Sequence, residues 1–331
     1  MEKRTIGRNG VAVSAVGLGC WAIGGKVGDP EGEWEWNGTR DEESVRAIRA
    51  AFDAGVTLFD TADCYGAGHS ERILGEALRG RRDRAVIATK FGNEFSEAEH
   101  RFLGSTRADA VYIRRACEAS LRRLGTDYID LYQFHIWEYP AEGAEEVVEA
   151  LEGLREEGKI RSYGWSTDRL DAVKAFARGA GCEAAQLALN LFEGNDELLR
   201  FCEAAGLAVL CRSPLAMGLL GGKYDRKSVL PAGDIRTSNY EWISWFRDGR
   251  PDPAYLARLE AAKEVLRSGG RTTAQGALAW IWAKSPATLP IPGFKTVAQA
   301  MENARAMEAG PLTAEQAAEV ERLVGRTDRY A

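Results

Sequence analysis

Histidine is scarce in this chain, with three among 331 residues, and the six cysteines include neither a CxxC pair nor a histidine at metal-ligand spacing. Cys20, Cys64, Cys117, Cys182, Cys202 and Cys211 are scattered, mostly in apolar contexts, which excludes a zinc ribbon or disulfide scaffold and reads as reduced filler. No metal site is expected. Positive charge is also in short supply: Lys and Arg total 43 against 49 Asp and Glu, a formal net charge of −6. Without a basic stripe or tail to neutralise phosphates, a nucleic-acid partner is excluded. No apolar run approaches the ~20 residues that cross a bilayer. The opening MEKRTIGRNG lacks the apolar stretch of a signal peptide. The expectation is therefore a cytoplasmic chain with no membrane partner, and no pattern specifies an oligomeric state. A last absence bears on the fold. GLGCWAIGG puts Trp21 and Ile23 where a Rossmann fingerprint needs a tight glycine turn, which sets aside a doubly wound dinucleotide-binding sheet.

What is present is a repeated event. In VTLFDTADCYG, residues 56 to 66, a β-branched and aromatic run stops on Asp60 and reaches Tyr65 five residues later. AVIATK, residues 85 to 90, stops on Lys90, and YIDLYQFH, residues 128 to 135, stops on His135. Helical patterns separate these runs. Parallel strands joined by helices bring their C-terminal ends to one edge, so an acid, an ammonium, an imidazole and a phenol would crowd one mouth.

Five more runs complete a count of eight strands. They are VGLGCW (16 to 21), KIRSYGWST (159 to 167), EAAQLALN (183 to 190), LAVLCRSPL (207 to 215) and ATLPIPGFK near 290. Helical spacing follows each, beginning with a helix entered through a Thr39/Glu42 capping box and closed by Gly55. KRTIGRNGVAVSAV, with Asn9 and Gly10 between short apolar runs, reads as a hairpin that plugs the end away from the mouth. The expected fold is α/β: a single (β/α)8 barrel domain over residues 1 to 331, with that N-terminal β-hairpin and extra C-terminal helices. Two loops exceed what connection needs. One carries Trp34 and Trp36 close to Trp21, as a substrate-facing wall or as rim packing; the other spans residues 217 to 253.

The chemistry follows from the residue types. A phenol near pKa ~10 is a poor acid at neutral pH. Lys90 beside Tyr65 is expected to lower it, Asp60 to hold Lys90, and His135 to donate a hydrogen bond to a carbonyl oxygen. That constellation suits adding hydride to a carbonyl, or the reverse. Because no side chain delivers hydride, a nicotinamide cofactor is required.

The motifs GLGCW, FDTADCYGAGHSE, ATKFG, LYQFH, GWST, QLALN, SPLAMGLLGGKY and IPGFKTVAQAMEN, in this order, resemble the aldo-keto reductase family over nearly the whole chain, in a bacterial NADPH-dependent branch. The resemblance implies a catalytic tetrad of Asp60, Tyr65, Lys90 and His135, with Tyr65 as proton donor and acceptor. It implies that Ser166, Thr167 and Gln186 hold the nicotinamide carboxamide, Thr167 replacing the commoner asparagine, and that Arg212 lies where relatives stack an aromatic on the ring. Gly19, Cys20, Trp21, Ser213 and Leu215 are further implied cofactor contacts. Gly218 and Lys223, in GLLGGKY, belong to the loop over the pyrophosphate. Lys295 and Thr296 are placed at the 2'-phosphate, and Gln299 and Asn303 at the adenine, Gln299 standing where many relatives carry arginine; Gly293 and Phe294 are further cofactor contacts. NADPH is therefore the expected cofactor, with NADH possible. The substrate pocket is expected from Trp21, Trp34, Trp36, Tyr65 and His135. The implied activity is reduction of small aldehydes or ketones. The alternatives are NAD(P)-dependent oxidation of a sugar or polyol, and a non-catalytic subunit that senses nicotinamide redox state.

Overall fold

The computed structural model describes residues 3 to 326 apart from 9, 31, 35 and 37, and of residues 33 and 34 only the backbone. The Asn9 turn residue and the Trp34 side chain therefore lie outside the described residues. Eight strands, Gly17–Gly19, Leu58–Asp60, Val86–Phe91, Ile129–Phe134, Ile160–Ser166, Cys182–Ala188, Ala208–Arg212 and Thr288–Pro290, are barrel strands one to eight. They pair in chain order, all in parallel. A bridge from Gly19 to Gly293, with Gly19 N donating to Pro292 O at 3.0 Å, brings the eighth strand's end back to the first.

Alternation along each strand sorts its side chains into the barrel or out toward the helices. The inward set is apolar at the N-terminal end, where Leu58, Val86, Ala88, Leu131, Leu210 and Leu289 share a cluster with Ile6 and Val13. Those last two belong to the hairpin Lys3–Ile6/Val11–Ser14, which thus closes the barrel floor as its sequence suggests. Further along the same inward faces stand Asp60, Lys90, Gln133 and Gln186, all buried. The barrel core changes from apolar to polar as it approaches the mouth.

The outer helices are α1 (Asp41–Asp53), α2 (His69–Ala77), α3 (Ala110–Leu124), α4 (Ala144–Glu156), α5 (Leu170–Phe176), α6 (Asp196–Ala204), α7 (Pro253–Leu266), α8 (Thr273–Lys284), α9 (Val297–Ala309) and α10 (Ala314–Val324). α3 begins with Asp109 accepting from Tyr112 N and ends on left-handed Gly125, each device visible in its sequence. The capping box read at α1 does not form. Arg40 is the N-cap, and the Thr39 hydroxyl donates instead to Trp36 O at 2.7 Å and Ala22 O at 3.1 Å, which ties the preceding loop to the rim.

One element was not anticipated. Asn93–Ser96 and Arg101–Thr106 form a hairpin that joins Val27–Asp29 and Gly32–Trp34 in a four-stranded sheet beside the mouth. Its longest strand is exposed at five of six positions, so no alternation of apolar residues marks it. The pairing that anchors it, Gly28 with Arg101, joins loops distant in sequence. The second long loop folds back onto the barrel by burying Ile235, Ile243, Trp245 and Phe246. No helix among the described residues is long and apolar enough to cross a membrane.

Candidate active site

Asp60 ends the second barrel strand, Lys90 lies one residue from the end of the third, and His135 follows the fourth. These strands are neighbours, so the side chains converge. Lys90 Nζ donates to Asp60 Oδ1 at 2.6 Å, to Thr61 O at 2.8 Å and to Tyr65 Oη at 3.2 Å. The other Asp60 oxygen accepts from Gln186 Nε2 at 2.8 Å and Gln133 Nε2 at 2.9 Å. Paired and hydrogen-bonded in this way, two buried charges are tolerable where either alone would be costly.

Tyr65 reaches Lys90 because its loop is held down. Gly66 has φ +57°, and a Cβ there would sit 2.0 Å from Gly24 O. Any larger residue would lift the loop from the turn at residues 22 to 24 and carry the phenol off Lys90. The Tyr65 and His135 rings meet edge to face, centroids 6.1 Å apart, and both are half-buried at the mouth. Cys64 Sγ lies 3.9 Å from His135 Nδ1, while Cys20, also buried, turns its thiol to Leu18 O.

The electrostatics correct one expectation. Tyr65 is not tuned toward neutrality: burial pushes its phenol up to about 12, Lys90 pulls it down by less, and Asp60 adds to the rise. Desolvation of the phenolate outweighs one ammonium that is itself neutralised by Asp60. Burial works against the Lys90 ammonium, but Asp60 and Tyr65 more than offset it, so Lys90 stays charged. His135 is driven well below its usual value by burial, then by Lys90 and Arg212. The mouth thus holds a protonated phenol, an ammonium and a neutral imidazole.

The remaining predicted residues fall into groups. Ser166 and Gln186 pair on adjoining strands five and six, Thr167 follows strand five, and all three are buried. The Thr167 hydroxyl already has two partners, donating to Trp137 O at 3.1 Å and accepting from Arg169 N at 3.3 Å. The Gln186 amide nitrogen is committed to Asp60 and Gln133. Arg212 is paired with buried Asp168 and lies 4.6 Å over the Trp137 ring. After it the backbone is left-handed at Ser213, Ala216, Met217 and Gly218, a costly run pinned by Arg236, whose guanidinium donates to Met217 O at 3.1 Å. Leu215 O accepts from Gly218 N within this turn, and Lys223 is exposed beyond it. At the eighth strand's end, Asn303 Nδ2 donates to the carbonyl of exposed Gly293 at 3.3 Å, and Phe294 is buried. Thr296 caps α9 through Gln299 N, and the Gln299 side chain accepts from Lys295 N.

Of the tryptophans, Trp21 is half-buried 6.1 Å from the Tyr65 ring. Trp36, expected at the wall, is buried behind Trp21 at 5.1 Å and covered by the Arg236 guanidinium; it is rim packing. The long loop contributes what the sequence did not single out, Trp242, 6.0 Å from Trp21. Gln133 was also missed, although it stands two residues before His135, where alternation puts it on the inward face. Asp168 was missed because its partner Arg212 is 44 residues away.

A parallel barrel whose polar side chains gather at the strand C-termini defines an enzyme of the (β/α)8 class. The family model of the Aldo/keto reductase family matches residues 15 to 324, and the chain belongs to that family of oxidoreductases. It is similar to the aldo-keto reductase YhdN of Bacillus subtilis, 38% identical over 240 residues, which are 71% of this chain and 69% of that one. Among solved structures it resembles the glycerol dehydrogenase AKR11B4 of Gluconobacter oxydans, at 31% identity, 98% and 95% coverage and a TM-score of 0.82. It also resembles an aldo-keto reductase of Klebsiella pneumoniae in complex with NADPH, at 30% identity, 100% and 98% coverage and a TM-score of 0.73.

Proposed function

We propose that this chain reduces small aldehydes or ketones with NADPH, using Tyr65 as the general acid. The observation that carries the reading is the chain of contacts from Asp60 Oδ1 through Lys90 Nζ to the Tyr65 hydroxyl, at 2.6 and 3.2 Å. The cofactor's fit rests on the donor set. The turn after strand seven already binds its Ala216 and Gly218 amides to Ser213 O and Leu215 O, so a pyrophosphate would approach the glycine-rich stretch that follows, where missing side chains leave the backbone accessible. The glycine at 221 has open space where a Cβ would be, and Lys295 stands just ahead of α9. NADPH, when bound, supplies the hydride.

The chain's own residues then do the rest. A neutral His135 donates a hydrogen bond to the carbonyl oxygen and orients it, and Tyr65 passes its proton to the same oxygen as negative charge develops there. Lys90 stabilises the phenolate left behind, Asp60 keeps Lys90 in place, and Gln133 and Gln186 hold Asp60. Trp21 screens the phenol from bulk water. The experiment is Tyr65→Phe, which keeps the ring and removes the proton. Carbonyl reduction should fall roughly 10²- to 10⁴-fold while NADPH affinity stays within about twofold. Equal loss of both would refute the role.

A second reading, oxidation of a small polyol, is favoured by the likeness to the glycerol dehydrogenase. It uses the same groups in reverse, with the Tyr65 phenolate as base. Rates with NADPH plus aldehyde against NADP plus glycerol separate the two.

A further inference from the structure

The N-terminal end of α9 is where the family resemblance places the 2'-phosphate of NADPH, and three amides there already donate to protein oxygens. Gln299 Oε1 accepts from Lys295 N at 2.8 Å, and Thr296 Oγ1 accepts from Gln299 N at 3.3 Å. Both of these acceptors are local. The third is not: the amide of Val297, first residue of the helix, donates at 2.9 Å to Oε1 of Glu43, which projects from α1. The other Glu43 oxygen is paired with Arg46, three residues further along α1. The hydrogen bond from Val297 and then the pairing with Arg46 hold the carboxyl below its usual range, so it is ionised at neutral pH. A negative side chain, 17% exposed, is therefore seated at the positive end of a 13-residue helix, two residues past Lys295.

We propose that Glu43 is the resident anion of the adenosine-phosphate site and sets the preference between NADPH and NADH. The assignment rests on the nicotinamide reading above and goes beyond it. A 2'-phosphate bound at this helix end would share it with the carboxylate. It must either displace the carboxylate toward Arg46 or bind against it, and both oppose NADPH. The ribose 2'-hydroxyl of NADH carries no charge and can donate to the carboxylate, as it does to acidic residues in dinucleotide-binding sheets. Lys295 acts in the opposite sense, so the preference is a difference between one cation and one anion at the same end of the helix.

Glu43→Gln keeps an acceptor for the Val297 amide and removes only the charge. Wild type and variant are titrated by tryptophan fluorescence with NADPH, with NADH and with adenosine 2',5'-bisphosphate as a probe of the phosphate end alone. NADPH and the bisphosphate should bind about tenfold more tightly to the variant, a change of about 1.4 kcal/mol, and NADH should stay within about twofold. Glu43→Ala, which also removes the cap, should shift the NADPH-to-NADH ratio in the same direction. An unchanged ratio in both variants overturns the assignment. So does parallel weakening of both cofactors with a lowered Tm, which makes Glu43 a helix cap and nothing more. Wild type that binds neither dinucleotide defeats the nicotinamide reading, and this assignment with it. That outcome is distinct from tight binding with an indifferent ratio, which defeats the assignment alone.

Discussion

Two ion pairs in this molecule are nearly indistinguishable as charges. The side chains of Lys90 and Asp60 are 0% and 3% exposed and those of Arg123 and Glu71 are 7% and 0%, and each pair is joined at 2.6 Å. What differs is where the remaining hydrogen-bonding capacity goes. Glu71 takes a second bond from the Thr89 hydroxyl, and Arg123 reaches Ser120 and Glu97. The result is a closed network that fixes α2 against α3 and the third strand. Lys90 instead reaches a half-buried phenol that opens on the barrel mouth. Burial of a salt bridge is therefore no mark of function; a third partner that can still exchange a proton is.

Substitutions at the two pairs separate these roles. Lys90→Met and Arg123→Met each strand a buried carboxylate and should each cost roughly 3–5 kcal/mol of stability, read by urea unfolding. Turnover per folded molecule should diverge. Lys90→Met should lose at least about 10²-fold, because the phenolate loses its counter-charge, whereas Arg123→Met should stay within a few fold of wild type. If both variants lost activity equally, or neither did, the distinction would collapse. Replacing both partners of the outer pair, Glu71→Gln with Arg123→Met, should recover part of the lost stability, since the uncompensated charge is gone.

The pH profile sharpens the comparison from the other side. Reduction needs Tyr65 protonated, and burial has raised that phenol to about 12. The rate of carbonyl reduction should therefore stay level through neutral and moderately alkaline solution and decline only as the pH nears the raised value. Oxidation of an alcohol needs the phenolate, so its rate should climb about tenfold per pH unit across the same range. His135, held neutral, should add no acidic limb. A reductive rate that fell with a midpoint near neutrality would show that Lys90 wins over burial after all.

How much of this was legible before folding depends on the range of the interactions. Asp60, Lys90 and His135 could be read because each ends an apolar run, and strand alternation plus parallel order is enough to bring them together. The hairpin plug and the α3 caps were readable for the same reason: turn chemistry and capping act over a few residues. The failures are non-local. Gln133 carried a readable signal, its place in the alternation, but no reason to be there until Asp60 was known to need a second acceptor site filled. The sheet formed by Val27–Asp29, Gly32–Trp34, Asn93–Ser96 and Arg101–Thr106 has no apolar period, because its stability comes from pairing between loops. The Tyr65 shift could not be read because desolvation depends on everything packed around the ring, while the presence of Lys90 is visible in one motif.

The roof over the mouth is the least legible part, and it yields the smallest expected effect. Trp242 is 41% exposed, stacks on Tyr240 at 5.8 Å and faces Trp21 at 6.0 Å. The Tyr240 hydroxyl donates to Asp29 Oδ2 at 2.7 Å, which fastens the long loop to the sheet beside the mouth. Trp21 in turn stands against the Tyr65 ring. Trp242 therefore extends the wall of the site outward without touching the groups around Asp60. Trp242→Ala should leave stability within about 1 kcal/mol, because so exposed a ring adds little to the core. It should raise KM about five- to tenfold for a bulky aromatic aldehyde, the loss of one ring contact, and leave KM for a two- or three-carbon aldehyde unchanged. kcat should hold for both. A fall in kcat for the small aldehyde would mean that the roof positions Tyr65 through Trp21, and would join two regions that the contacts separate.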